Sequence, residues 1–342
     1  MKPDDGIGTP QASPASRKLD RRAFLAGTGI VAAGVLGYPL LRRAWQAQTP
    51  VFLARNQRYD GSLVQTIRDG LEAVGFDSAW VRGRRVLLKP NLVEPARHSP
   101  QMTTHPAMIL AAAEVFRAWD ARVVVGEAPA HVRDTEMVLV ESGVDELLAA
   151  EKIEFADLNY SEVRAVPNAS GACNLTEFFF PRQVLEADLV VSLPKLKTHH
   201  WAGFTASMKN LYGALPGIVY GWPKNPLHHA GIPETIVDIV ASAPRTIAIV
   251  DAILCMEGDG PIMGSPKPLG VVAIGLNPTA VDATLARIMG IDPLKVAYLT
   301  LAARKLGPIA DRDISQRGEG WRDLVDPFQL LDVPYLQAIR AS

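Results

Sequence analysis

The chain has 342 residues and carries 35 Lys and Arg against 36 Asp and Glu, a net charge of −1. That balance excludes the strongly basic surface of a nucleic-acid-binding protein. Its 48% hydrophobic and 21% charged residues make an ordinary globular composition, with material for one large domain or two smaller ones. The two cysteines, Cys173 and Cys255, stand apart from each other and from any Cys-x-x-Cys pattern. This argues against an iron–sulfur cluster, a zinc knuckle and a disulfide framework, and leaves one Cys173–Cys255 bond open.

Residues 1–48 read as a targeting segment on a disordered polar leader. Arg21-Arg22 precedes Phe24 and Leu25 and a Gly/Ala-rich apolar run to Leu41, the pattern of a twin-arginine export signal. Asp20 stands where such signals usually carry Ser or Thr. A short transmembrane helix is the competing reading, although the four glycines of the run make a marginal span. No small-x-small cleavage site stands near Trp45, so an uncleaved membrane anchor through residues 23–41 remains open. The expected partner is the twin-arginine export machinery, and the expected location is periplasmic or otherwise extracytoplasmic.

From residue 49 to 306 short β-rich runs alternate with helical ones, and 307–342 reads as a tail packed on that domain. Strands are predicted at 86–93, 122–126, 153–158, 189–193, 246–253 and 270–275. Helices are predicted at 62–74, 106–119, 136–150, 233–241, 279–289 and 293–305. Near-continuous apolar strands separated by helices define an α/β fold: a mostly parallel sheet covered on both faces, with its site at the carboxyl ends of the strands. Residues 200–232 are rich in Gly, Pro, His and aromatics without periodicity, and a long loop of this kind inside a compact domain usually serves function.

Polar residues gather at those strand ends. Lys89 and Asn91 interrupt one apolar run, and a charged lysine there wants a partner. Glu127 closes the next strand. Lys195, Lys197 and the pair His199-His200 follow the third, and Asp251 lies within another, with Glu257 and Asp259 at the rim. Lys209 lies between Gly203 and Gly213, and Thr205, Ser207 and Asn210 add donors beside it. All seven histidines fall between His98 and His229. They suggest metal ligation by one histidine per cluster with Asp or Glu. The chain after residue 48 holds no Walker motif, nucleophile elbow or dinucleotide fingerprint.

Val86-Leu-Leu-Lys-Pro-Asn-Leu-Val93, Thr104-His-Pro106, Val124-Val-Gly-Glu127, Leu193-Pro-Lys-Leu-Lys-Thr-His199, Met208-Lys-Asn-Leu-Tyr-Gly213 and Gly258-Asp-Gly-Pro261 together resemble domain of unknown function family 362, over roughly residues 84–300. Many members of that family carry a ferredoxin-type cysteine segment, which this chain lacks, so no iron–sulfur cluster is implied. The stretch from His199 to Lys209, followed by Leu215-Pro-Gly217, is more distantly similar to the lactate racemase family. There the histidine serves proton or hydride chemistry and the lysine holds a nickel-pincer cofactor. Ala206 and Ser207 replace that family's Gly-Gly, and Asn210 to Gly213 lengthen the loop, which puts the same cofactor in doubt.

These readings predict an exported enzyme of isomerase or oxidoreductase type, using a divalent metal or metal-containing organic cofactor on a small anionic substrate. His199 and Lys209 are the catalytic candidates. Lys89, Asn91, Lys195, Lys197, Thr205 and Asn210 would bind the anion, and His105, Glu127 and Asp251 would hold a metal. A non-catalytic carrier of a metal or cofactor is the alternative, and a structural protein with buried ion pairs is the third reading.

Overall fold

The computed structural model describes residues 48–95 and 97–341, so the segment read as an export signal or anchor lies outside the described residues. The strands are β1 (Thr49–Ala54), β2 (Arg85–Pro90), β3 (Arg122–Glu127), β4 (Glu154–Asp157), β5 (Val163–Pro167), β6 (Glu177–Pro181), β7 (Leu189–Leu193), β8 (Lys195–His199), β9 (Gly203–Thr205), β10 (Thr246–Glu257), β11 (Ser265–Gly275) and β12 (Ile314–Gly318). A ten-stranded sheet runs β12-β1-β11-β10-β7-β2-β3-β4, with β8 and β9 branching from β10, and β5 and β6 form a separate hairpin. The run β10-β7-β2-β3-β4 is parallel, and β11 is antiparallel to both of its neighbours. The fold is therefore α/β with a mostly parallel sheet.

Alternation along the strands feeds two cores, one on each face. Val86, Leu88, Leu189, Val191, Ile247 and Ile249 pack with the helices Leu63–Ala73 and Pro106–Ala118. Their neighbours Leu87, Val190, Ala248 and Val250 join the opposite core, with the helices Ile232–Ser242 and Pro278–Ile288. Helix starts follow local chemistry: Asn277 caps Ala280 N ahead of Pro278, and His105 Nδ1 accepts from Ala107 N ahead of Pro106.

Three segments differ from the sequence expectation. Residues 136–150 form two helices, because Gly143 adopts φ 69° and ends the first. The helix expected at 293–305 is confined to Ala297–Ala302, because the Asp292 side chain accepts from Leu294 N and makes a turn there. Residues 307–342 contribute β12, which pairs in parallel with β1. The aperiodic region 200–232 holds the short strand β9 followed by a chain of single helical turns. Cys173 and Cys255 are both free thiols, one half-buried and the other buried in β10.

Candidate active site

β7 ends at Leu193, and after Pro194 the chain turns into β8, which leaves β7 to pair with the far half of β10 (Lys195 with Asp251, Met256 with Lys197). A register shift in β10 between Ala252 and Leu254 makes room for this branch. Alternation then sets Lys195, Lys197 and His199 on one face of β8, while Leu196 enters the core on the other. All three polar side chains are buried at the carboxyl end of the sheet.

Two of the lysines at this edge are already paired. Lys89 Nζ donates to Glu127 Oε2 (2.6 Å), to Asn210 Oδ1 (3.0 Å) and to the Pro90 carbonyl (2.7 Å), which uses all three of its hydrogens. Glu127 also accepts from Leu92 N and Ala128 N. Burial works against ionisation of both partners, and their mutual attraction opposes it. Lys195 Nζ donates to Asp251 Oδ2 (2.6 Å) and to the Tyr59 hydroxyl (2.8 Å). Asp251 also takes His105 N and Tyr59 Oη, and the His105 ring stacks on Tyr59 at 3.7 Å.

The remaining lysines face a cavity of about 240 Å³. It is lined by Asn91, Glu127, Lys197, His199, Thr205, Lys209 and Asn210 from the sequence-predicted set, and by Lys224, Tyr212, His228 and Trp201 besides. Lys197 Nζ donates to the Met102 carbonyl, and Lys224 Nζ to the carbonyls of Ala128 and Tyr212. Lys209 Nζ lies 3.6 Å from the Tyr212 ring centroid and makes no hydrogen bond among the described residues. None of the three has a carboxylate within ion-pair distance among those residues. Burial lowers each from 10.5 to about 7; neighbouring lysine charges add to this at all three, and Glu127 opposes it at Lys197 and Lys224.

Two histidines of this cavity, His199 and His228, are held in the neutral form. Burial, followed by the charge of Lys209, pushes His199 well below its ordinary value and His228 down to about 4. His199 Nδ1 accepts from the backbone amides of Trp201 (3.1 Å) and Ala202 (3.3 Å), so the proton of the neutral ring sits on Nε2. His200 also lines the cavity, but its Nδ1 is tied to the Gly260 carbonyl at 2.9 Å.

Four expected ligands lie elsewhere. Lys89 sits behind Glu127, and Lys195 with Asp251 and His105 forms the separate buried cluster; none of the four lines the cavity. The metal set His105, Glu127 and Asp251 is consequently divided between two ion pairs. Among the described residues no group of three or more His, Cys, Asp or Glu could hold a metal. Glu257 accepts from Gln329 N, and Asp259 is exposed; Pro261 is the residue of that turn that reaches the cavity. Sequence reasoning missed Lys224, whose signal is a lysine between Pro223 and Pro226 in an otherwise apolar and aromatic stretch. It adopts φ 60° and is buried.

An α/β fold with a cationic cavity at its parallel strand ends defines the class. The model of the family Domain of unknown function (DUF362) matches residues 86–287, and the chain belongs to that family. The Thylakoid-associated protein sll1697 of Synechocystis sp. is 30% identical over 261 residues, covering 75% of this chain and 78% of that protein. Among solved structures, the lactate racemase apoprotein from Thermoanaerobacterium thermosaccharolyticum aligns with 15% identity and a TM-score of 0.44. That alignment covers 72% of this chain, which spans 58% of the racemase structure.

Proposed function

We propose that this protein is an enzyme acting on a small carboxylate or phosphate held by Lys197, Lys209 and Lys224. The observation that carries the reading is that three lysines without carboxylate partners among the described residues converge on one cavity beside two lysines that have them. An anion entering there supplies the missing counter-charge and draws Lys197 and Lys224 into their protonated state. The volume lies below the roughly 300–1,000 Å³ of drug-sized sites, which suits a ligand of few heavy atoms.

Proton handling follows from the same geometry. Lys209, with a value near 7, is available as a neutral amine and can accept a proton from the ligand. His199, neutral and protonated at Nε2, donates a hydrogen bond to negative charge developing on the ligand. A lysine-held cofactor of the kind implied by the racemase resemblance would fit the same Lys209 amine, which has neither hydrogen bond nor counter-ion among the described residues; such a group would supply a hydride acceptor and take the place of proton transfer by Lys209. A shell of protein ligands alone does not fit, because His199 presents N–H and the carboxylates are paired.

Export through the twin-arginine machinery, and a site of action outside the cytoplasm, belong to this proposal. The Arg21-Arg22 segment and the thylakoid-associated relative support it. The test is calorimetric titration of the purified chain with acetate, lactate and inorganic phosphate, alongside Lys209→Ala and Lys197→Met. Saturable binding weakened at least tenfold by either change is expected, and absence of binding by the unaltered protein sinks the reading. His199→Asn then separates an enzyme, which keeps binding and loses turnover, from a carrier, which loses binding.

A further inference from the structure

The lysine cavity does not end at its polar residues. Trp201, 57% exposed, stands in its wall together with His228, whose ring it meets edge-on at 5.4 Å. The same two residues line an open groove that continues over Ile232 and Pro233. Trp201 and Pro233 in turn border a second cavity of about 240 Å³, lined mainly by Ile236, Val296, Tyr298, Leu336 and Ile339. All three spaces share Trp201 in their lining, with lysines in the first and mainly apolar side chains in the second. An indole left this exposed beside an apolar cleft is costly to hydrate, and a ligand that covers it gains the transfer free energy.

We infer that the ligand is an amphiphilic anion, its carboxylate or phosphate in the lysine cavity and an alkyl chain running past Trp201 into the cleft of Ile236 and Leu336. The inference rests on the anion-binding reading above and names its substrate class. The occupant of the cleft is the chain of the same molecule, because the cleft shares the exposed Trp201 with the cationic cavity and the three lysines there require the negative head. The ligand is taken as a free single-chain monomer, since the head must enter a cavity and not lie on a surface.

The test is a calorimetric series with acetate, butyrate, hexanoate, octanoate and decanoate below their micelle concentrations, and inorganic phosphate as a chainless control. Affinity is expected to rise about three- to fourfold per added methylene until the cleft is filled, then to level off. Ala297→Trp, at the exposed edge of the cleft, should flatten the series while leaving acetate and phosphate binding unchanged. Trp201→Ala should reduce the gain for the longer chains. A flat series in the unaltered protein, with acetate bound normally, overturns this inference alone, whereas failure of acetate and phosphate to bind removes the anion reading beneath it. Binding to anionic phosphatidylglycerol vesicles without saturable binding of the free acids also overturns it, in favour of a membrane surface.

Discussion

Gly213 and Glu127 are packed so closely that residue 213 has no room for a side chain. A Cβ there would overlap Glu127 Oε1 and stand 2.6 Å from Lys89 Nζ. The backbone carbonyl of Gly213 also accepts from Ala128 N, which locks the loop onto the end of β3. Gly213→Ala must therefore push Glu127 away from Lys89. We expect a loss of about 3–5 kcal/mol, the usual cost of disrupting a buried pair, measured by urea denaturation.

The same ion pair gives a second prediction. Lys89→Met leaves Glu127 buried without its counter-charge and should cost about 3–5 kcal/mol, as should Glu127→Leu for Lys89. The double variant should cost clearly less than the sum of the two. Additive losses in the cycle would show that the pair is not coupled.

Anion affinity should fall as pH rises through about 7. Lys197, Lys209 and Lys224 have folded-state values depressed from 10.5 to about 7, so the unfolded chain binds more protons between these limits. Their contribution to stability is present above pH 10.5 and is lost as pH falls through about 7. A bound anion favours the ammonium form, so binding above pH 7 must take up protons. Titrations in buffers of different ionisation enthalpy read that uptake directly, and a pH-independent affinity with none would refute it.

Asp282 supports the turn that carries Lys209, accepting from Ser207 N, Ser207 Oγ and Met208 N. Burial raises it to about 6 from 3.8, so its contribution to stability is present below pH 3.8 and lost as pH rises through about 6. Asp282→Asn should remove that slope from the stability profile. Asp282→Ala leaves the buried donors unmet and should cost at least about 2 kcal/mol in denaturation, with weaker anion binding by Lys209.

How much of this was legible in the residues depends on the range of the interaction. The run from Leu189 to Leu193 is a strand because five consecutive residues are buried, a property visible locally. The strand Ile314–Gly318 is not visible in this way. It pairs with Thr49–Ala54 far away in sequence, and Arg317 and Gln316 give it no apolar signature. The lysines show the same limit. That Lys89 needs a partner follows from its apolar neighbours, but Lys195 and Lys197 look alike in sequence. Only the register of β8 against β10 brings Asp251 to the first and leaves the second without a carboxylate among the described residues. The proposed metal set is divided for the same reason: Glu127 pairs with Lys89, whereas His105 and Asp251 meet in the separate cluster of Lys195. Lys224 was hidden because a region without periodicity does not reveal which side faces inward.

The last residues of the chain reach back to the site. Tyr335 Oη donates to the His200 carbonyl at 2.6 Å, Ile291 bridges to Arg340, and Ala341 N donates to the Gly290 carbonyl. β12, too, is needed to cover β1. A nascent chain emerging from the ribosome therefore holds Lys89, Lys209 and His199 long before it holds the segment that braces the loop between them. The cavity is in this sense completed later than its own lining residues, and a ribosome stalled before residue 335 would display a site whose bracing segment is still missing.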